Sequence, residues 1–295
     1  MRCFVTIKPA DKIRAQSAME YLMTYGWAIL IIAVVLGALF QLGVFNSSSF
    51  SPRAPPGACQ VFRPSGPGTT TNINLMGVCT GLLPQYVGQF NGQSSYIDIG
   101  NGALLNIPAT VTVSVWARYN AYGGGGQAYS VVVIKGDNGF WNYVMEDPNN
   151  KIRFRVRAGT TDNWAWDANT LTLNSWHHLV GTYDGANIKM YKNGGLVGIM
   201  PQTGALTMNS VTAKFGTYQG TNYNFNGSIA NIQIYNTSLS ANEIQALYVS
   251  GMGGAPLLLQ NLVGWWPLNG NSNDYSGNNN NGVPTAVTFT SQYGK

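Results

Sequence analysis

Glutamates are scarce in this chain: Glu20, Glu146 and Glu243 are the whole set. Most glycoside hydrolysis needs two facing carboxylates, and only Glu146, beside Asp147, stands clear of other duties. Glu20 borders an apolar run, and Glu243 closes a helix-capping signature. His177 and His178 are adjacent, so a strand points them to opposite faces, one packed and one solvated. Neither a nucleophile triad nor a metal pair follows from that spacing. The chemistry that remains is recognition. Arg153, Arg155 and Arg157 alternate along KIRFRVR as a basic stripe that could meet acidic sugars or polyanions, or serve as a solvated strand face. Trp164 and Trp166 in TDNWAWDANT, with Trp141 upstream, offer rings that stack on sugars or else pack at a core edge. Asp98, Asp137, Asp184 and Asp274 could ligate calcium together with backbone carbonyls, although Asp184 before Gly185 is first a turn residue. No other cofactor is expected, and the chain reads as a non-enzyme.

The composition suits display rather than catalysis or nucleic-acid binding. Only 9% of the 295 residues are charged, against about 25% in an average soluble protein. Polarity comes instead from Asn, Ser, Thr, Gln and Gly, which favour strands and loops over exposed helices. The formal charge of +5 is concentrated at the start, where Arg2, Lys8, Lys12 and Arg14 outweigh Asp11. The remainder is close to neutral, which is no nucleic-acid footprint.

Trp27 to Phe45 is an apolar run in which Gln41 is the one strongly polar member. As a helix it extends roughly 28 Å, close to the hydrocarbon thickness of a bilayer. The basic residues precede it, which predicts a cytoplasmic start and an exported remainder. The run is longer than a secretory signal core, and GVFNSSSF offers no small-residue cleavage site. A plain membrane anchor is one reading. A sharper one comes from residues 12–22, KIRAQSAMEYL, which resemble the class III signal peptide of archaeal type IV pilin-like proteins. The resemblance implies that a prepilin-peptidase-type protease removes residues 1–15 by cutting between Ala15 and Gln16. It also implies an assembly role for Glu20 within a hydrophobic pilin or transmembrane helix over 16–45. A carboxylate at the edge of an apolar helix is costly unless paired. The new amine of a neighbour's Gln16 would supply the partner and fix axial register. Alternatively, Glu20 compensates the helix N-terminus at the membrane interface.

Residues 46–84 are rich in Pro, Gly, Ser and Thr and read as a semi-rigid stalk. Cys59 and Cys79 lie within it; outside the cell they would pair as a disulfide, worth about 3 kcal/mol in the chain-entropy model. Asn46, Asn226 and Asn236 each open a glycosylation sequon.

From residue 85 the pattern is short strands. TVTVSVWAR puts Val111, Val113 and Val115 on one face and Thr112, Ser114 and Trp116 on the other. KIRFRVR, WHHLVGTY and SIANIQIYN are further strands, and Asp184-Gly185 and Asn193-Gly194 are turn pairs. Ser240 and Glu243 form a capping box ahead of IQALYVS, with Gly251 as the C-cap. The order of QFNGQSSYIDIG, SVWAR, SWHHLVGTYDG, YKNGGLVG and FNGSIANIQIYN resembles concanavalin A-like, laminin G-like jelly rolls. That resemblance implies a β-sandwich head that binds glycans or proteins, sometimes through calcium. LVGWWPLNGNSNDYSG, at 262–277, looks like the opening strand of the same family placed last, and the closing TSQYGK is the kind of segment that leads into QFNGQSSYIDIG. A circular permutation is therefore expected, with 262–295 completing the sheet begun near residue 86. A truncated second domain and a strand donated to a neighbouring subunit are the alternatives.

The expected protein is a surface filament subunit: its helices pack with copies of themselves, and its head displays an adhesive or lectin-like surface. A membrane-anchored lectin-like protein that does not polymerise is the first rival, and a surface glycan-active enzyme the second.

Overall fold

The computed structural model describes residues 12–41, 83–123, 129–137, 140–218, 220 and 222–291. They fall into two units, one holding the N-terminal helix and the other everything from residue 83 onward. Residues 1–11 and 42–82, which include Asn46, Cys59, Cys79 and most of the expected stalk, lie outside the described residues.

Helix α1 (Lys12–Gln41) begins before the expected start and runs unbroken through Ala15, Gln16 and Glu20, whose side chains lie outside the described set. Its described apolar side chains, among them Trp27, Ile31 and Val34, are all exposed. Among the described residues, no helix is long and apolar enough to cross a membrane.

The second unit is a sandwich of two antiparallel sheets. Its strands are β1 (Val87–Asn91), β2 (Tyr96–Gly100), β3 (Val111–Tyr119), β4 (Val131–Asp137), β5 (Phe140–Glu146), β6 (Arg153–Ala158), β7 (Thr161–Trp166), β8 (Trp176–Tyr183), β9 (Asn187–Lys192), β10 (Gly195–Pro201), β11 (Ala213–Phe215), β12 (Asn226–Tyr235), β13 (Leu262–Trp266), β14 (Val283–Thr285) and β15 (Thr288–Thr290). Helix α2 (Ala241–Ser250) is the one α-helix described in this unit. The first sheet has the order β10-β9-β8-β3-β12-β1-β15, with β13 also on β12; the second has β14-β2-β11-β4-β5-β6-β7.

Alternation of side chains drives the layering. Val113, Val115, Ile188 and Met190 of the first sheet share one core with Tyr143, Met145, Phe154 and Val156 of the second. The sheets come close where Gly181 faces Phe154: a Cβ there would sit 2.0 Å from the ring. The Asn193-Gly194 turn between β9 and β10 has φ of 51° and 81°, the left-handed pair of a type I′ hairpin.

Strand β3 is buried along its whole length, on both faces. The reason is α2, capped by Ser240 and Glu243 as expected. It covers the outer side of the first sheet, where Tyr248 stacks on Trp116 at 5.9 Å and 18°. The histidine pair differs from the expectation of one packed and one solvated ring. His178 lies 5.1 Å from Trp116, and both histidines are buried. Burial pushes the His178 imidazole down to about 3, and its Nε2 sits 2.9 Å from Ser114 Oγ. His177 Nε2 pairs with the carbonyl of Thr172.

The end of the chain joins both sheets. Strand β13 pairs with β12, β14 with β2 and β15 with β1. Fully buried Trp266 packs edge-on against Phe215. Asp274 ties the loop after β13 together, accepting from the backbone N–H groups of Trp265, Ser276 and Asn280. Of the sequons in this unit, Asn226 opens β12 and is half-buried, whereas Asn236 follows it and is exposed.

Candidate functional site

The outer side of the second sheet carries the residues singled out for recognition. KIRFRVR folds as expected: Ile152, Phe154 and Val156 are buried, and the arginines face outward. Antiparallel register then aligns side chains across strands. One rung joins Val131, Glu146, Arg153 and Trp166; the next joins Ile134, Val144, Arg155 and Trp164; a third pairs Arg157 with Asp162.

The arginines are paired on that face rather than simply solvated. Glu146, only 2% exposed, accepts from Arg153 Nε and Nη2 at 2.7 Å, and Arg155 Nη1 lies 3.7 Å away. Asp162 Oδ2 takes Arg155 at 3.3 Å and Arg157 at 4.0 Å. These contacts hold the guanidinium groups over aromatic rings. Arg153 and Arg155 lie 5.1 and 5.8 Å from the Trp164 ring centre, and Lys151 lies 5.0 Å from that of Trp166. Both indoles are out of the core, Trp164 36% and Trp166 46% exposed. The core-edge alternative for them is thereby set aside. The side chain of Trp141 lies outside the described set.

Glu146 and Asp147 diverge. Asp147 is buried, and its Oδ1 accepts from the Ser130 amide and hydroxyl. Burial, then the Glu146 charge, pushes this carboxyl up to about 7 against those hydrogen bonds. A carboxylate spent on two arginines and one locked to Ser130 do not form an acid–base pair.

The aspartates named for calcium do not converge. Asp98 accepts from the Gly100 amide and Thr212 and faces Lys214 at 3.7 Å. Asp184 caps its turn and binds Lys189 at 2.7 Å, while Asp274 is the loop knot described above. The Asp137 side chain lies outside the described set. Among the described residues, no group of three His, Cys, Asp or Glu side chains could hold a metal ion.

A family profile described as the concanavalin A-like lectin/glucanases superfamily, of the laminin G type, matches residues 91–245. The chain belongs to this superfamily. Solved structures agree on the β-sandwich fold. A candidate carbohydrate-binding protein from Bacteroides ovatus superimposes with a TM-score of 0.56 at 15% identity, over 71% of this chain and 60% of that one. This chain thus matches less than two thirds of that protein's length. The heptameric SAP-like pentraxin of Limulus polyphemus gives 0.51 at 11% identity, over 70% and 94%. At such identities the likeness is one of fold. Comparison with curated proteins finds no match. The profile stops before β13, so the strands that close the laminin G-like sandwich in this chain lie beyond the matched span.

Sequence reasoning found the arginines and tryptophans but missed their organisers. Glu146 was weighed only as a catalyst, Asp162 was not singled out, and the Asp147–Ser130 tie joins the two ends of a hairpin, 17 residues apart in the chain. Lys135 was missed too. It is a buried ammonium that donates to Asn101 Oδ1, the side chain and carbonyl of Asn209 and the carbonyl of Val211; burial and Lys214 push it down to about 8.

Proposed function

We propose that this chain is a subunit of an extracellular type IV pilus-like filament whose head binds glycan or protein ligands through the outer face of its second sheet. The observation that carries the binding half is the ladder of Arg153, Arg155, Trp164 and Trp166, in which exposed rings are held by an ion network. Sugar rings stack on such indoles while guanidinium groups take hydroxyls or carboxylates. The carbohydrate binding named for the Bacteroides ovatus structure supports this reading on a shared fold. The reading requires no metal and takes the head as a binding rather than a catalytic module; on this face Glu146 and Asp162 are committed to arginines.

The filament half rests on KIRAQSAMEYL and on the bare apolar side chains of α1. A helix that is apolar all round needs cover from lipid or from other helices. The membrane provides it before assembly, and copies of the chain provide it afterwards. A prepilin-peptidase-type protease releases the leader, and Glu20 pairs with the amine of a neighbour's Gln16. The last segment supplies, in permuted position, the strand with which family members begin.

Two measurements test the proposal. Screening the detergent-solubilised chain against a glycan array should give binding that Trp164→Ala abolishes; binding indifferent to that change would remove the assigned face. Mass spectrometry of the N-terminal peptide of surface-recovered protein should find Gln16 first. A chain that still begins at Met1 would leave an anchored lectin-like protein.

A further inference from the structure

The face does not end at the arginines. On the far side of Glu146, Val131, Ile134 and Val144 form an apolar patch, with Tyr129, Tyr218 and Tyr223 packed over it. The rings of Tyr129 and Tyr223 are stacked at 4.1 Å and 8°, and Tyr218 meets Tyr223 edge-on at 5.8 Å. All three are half-buried, so each keeps a surface open to solvent. Tyr223 holds this arrangement at φ 54°, a left-handed backbone that bulky residues avoid and that clusters at ligand clamps.

Register fixes the distance between the two aromatic platforms. Val131 under the tyrosines and Trp166 stand at opposite ends of one rung across β4, β5, β6 and β7. With strands about 4.8 Å apart, that rung measures roughly 14 Å. A single sugar ring cannot touch both ends. Between and beside the platforms, among the described side chains, lie Lys151, Arg153, Arg155 and Arg157 against Glu146 and Asp162: four cations to two carboxylates.

We infer that this face is a track for an extended, carboxylate-bearing polysaccharide that crosses the strands from Trp164 and Trp166 to Tyr129 and Tyr223. The inference rests on the reading of this face as a glycan-binding site. Rings stack at the two ends, and carboxylates along the chain meet the guanidinium surplus between them. Recognition is therefore of a run of sugars within a chain rather than of one terminal residue.

Calorimetry on the full detergent-solubilised chain tests it, with oligogalacturonates from the single ring to the hexamer and neutral galactose oligomers of equal lengths as probes. Affinity should rise with length until both platforms are spanned and then level off. It should weaken with salt, and the neutral series should bind about tenfold more weakly. Tyr223→Ala should erase the gain from length, about tenfold at the hexamer, and leave the dimer unchanged. Tyr129→Leu, which keeps Val131 covered, should do the same if the fold is intact. Binding that depends on Trp164 but not on length or on the tyrosines would overturn the track and leave the glycan site standing. Equal binding of the neutral series would overturn the acidic ligand. Absence of binding to either series and to the array would overturn both readings.

Discussion

The outer sides of the two sheets are finished in opposite ways. On the first, α2 lies over the strands, and its half-buried Tyr248 stacks on buried Trp116 and His178. On the second, Trp164 and Trp166 stand exposed beside arginines, with no helix among the described residues laid over them. Both sides use the same material, aromatic rings with polar neighbours on a strand ladder. One side spends it on stability; the other keeps it accessible. On the first side Ser114 and His178 pair beneath the helix, as burial of a polar group favours. The arginines on the second side are tied to Glu146 and Asp162 and still reach solvent.

Substitutions that hit one side should leave the other untouched. The largest effect is expected where both sheets share a support: removing residues 262–295 takes β13, β14 and β15 from the two sheets and should abolish the cooperative thermal transition. An equally heat-stable truncated chain would mean that the strands are ornamental. Trp116→Ala should cost about 3–5 kcal/mol by chemical denaturation, as for other buried aromatics, with glycan affinity preserved in the folded fraction.

Asp147→Asn should change the pH profile. The folded carboxyl keeps its proton to about 7, whereas the unfolded one releases it near 3.8. The stabilisation from this raised group is therefore full below 3.8 and gone above about 7. Relative to the variant, the wild type should lose stability across that window, by up to about 1.4 kcal/mol per pH unit. Parallel curves for the two proteins would contradict the assignment. Smaller still, Ser240→Ala should cost about 1 kcal/mol through the lost α2 cap, read as a lower denaturation midpoint with unchanged ligand affinity.

Much of the head was legible because its signals are local. Alternation placed Phe154 and Val156 inward, Asp184-Gly185 and Asn193-Gly194 marked the hairpins, and Ser240 with Glu243 marked the start of α2. The misreadings share one cause: alternation says which residues share a face but not what lies on that face. One of His177 and His178 was expected to be solvated because the docking of α2 is a tertiary fact. Trp164 and Trp166 could not be sorted between core edge and surface for the same reason. The tyrosine platform was invisible because Tyr129 and Tyr223 come from irregular, Gly- and Asn-rich segments with no period, and only the fold brings them together.

The central claim is that the outer face of the second sheet, not the helix-covered one, binds the ligand. Isothermal titration of wild type, Trp164→Ala and Trp116→Ala against a ligand selected on the glycan array tests it most directly. The expected result is that Trp164→Ala keeps stability within about 0.5 kcal/mol and loses about tenfold or more in affinity, while Trp116→Ala does the reverse. Loss of affinity in Trp116→Ala at full folding, with Trp164→Ala binding like wild type, would place the site on the other sheet.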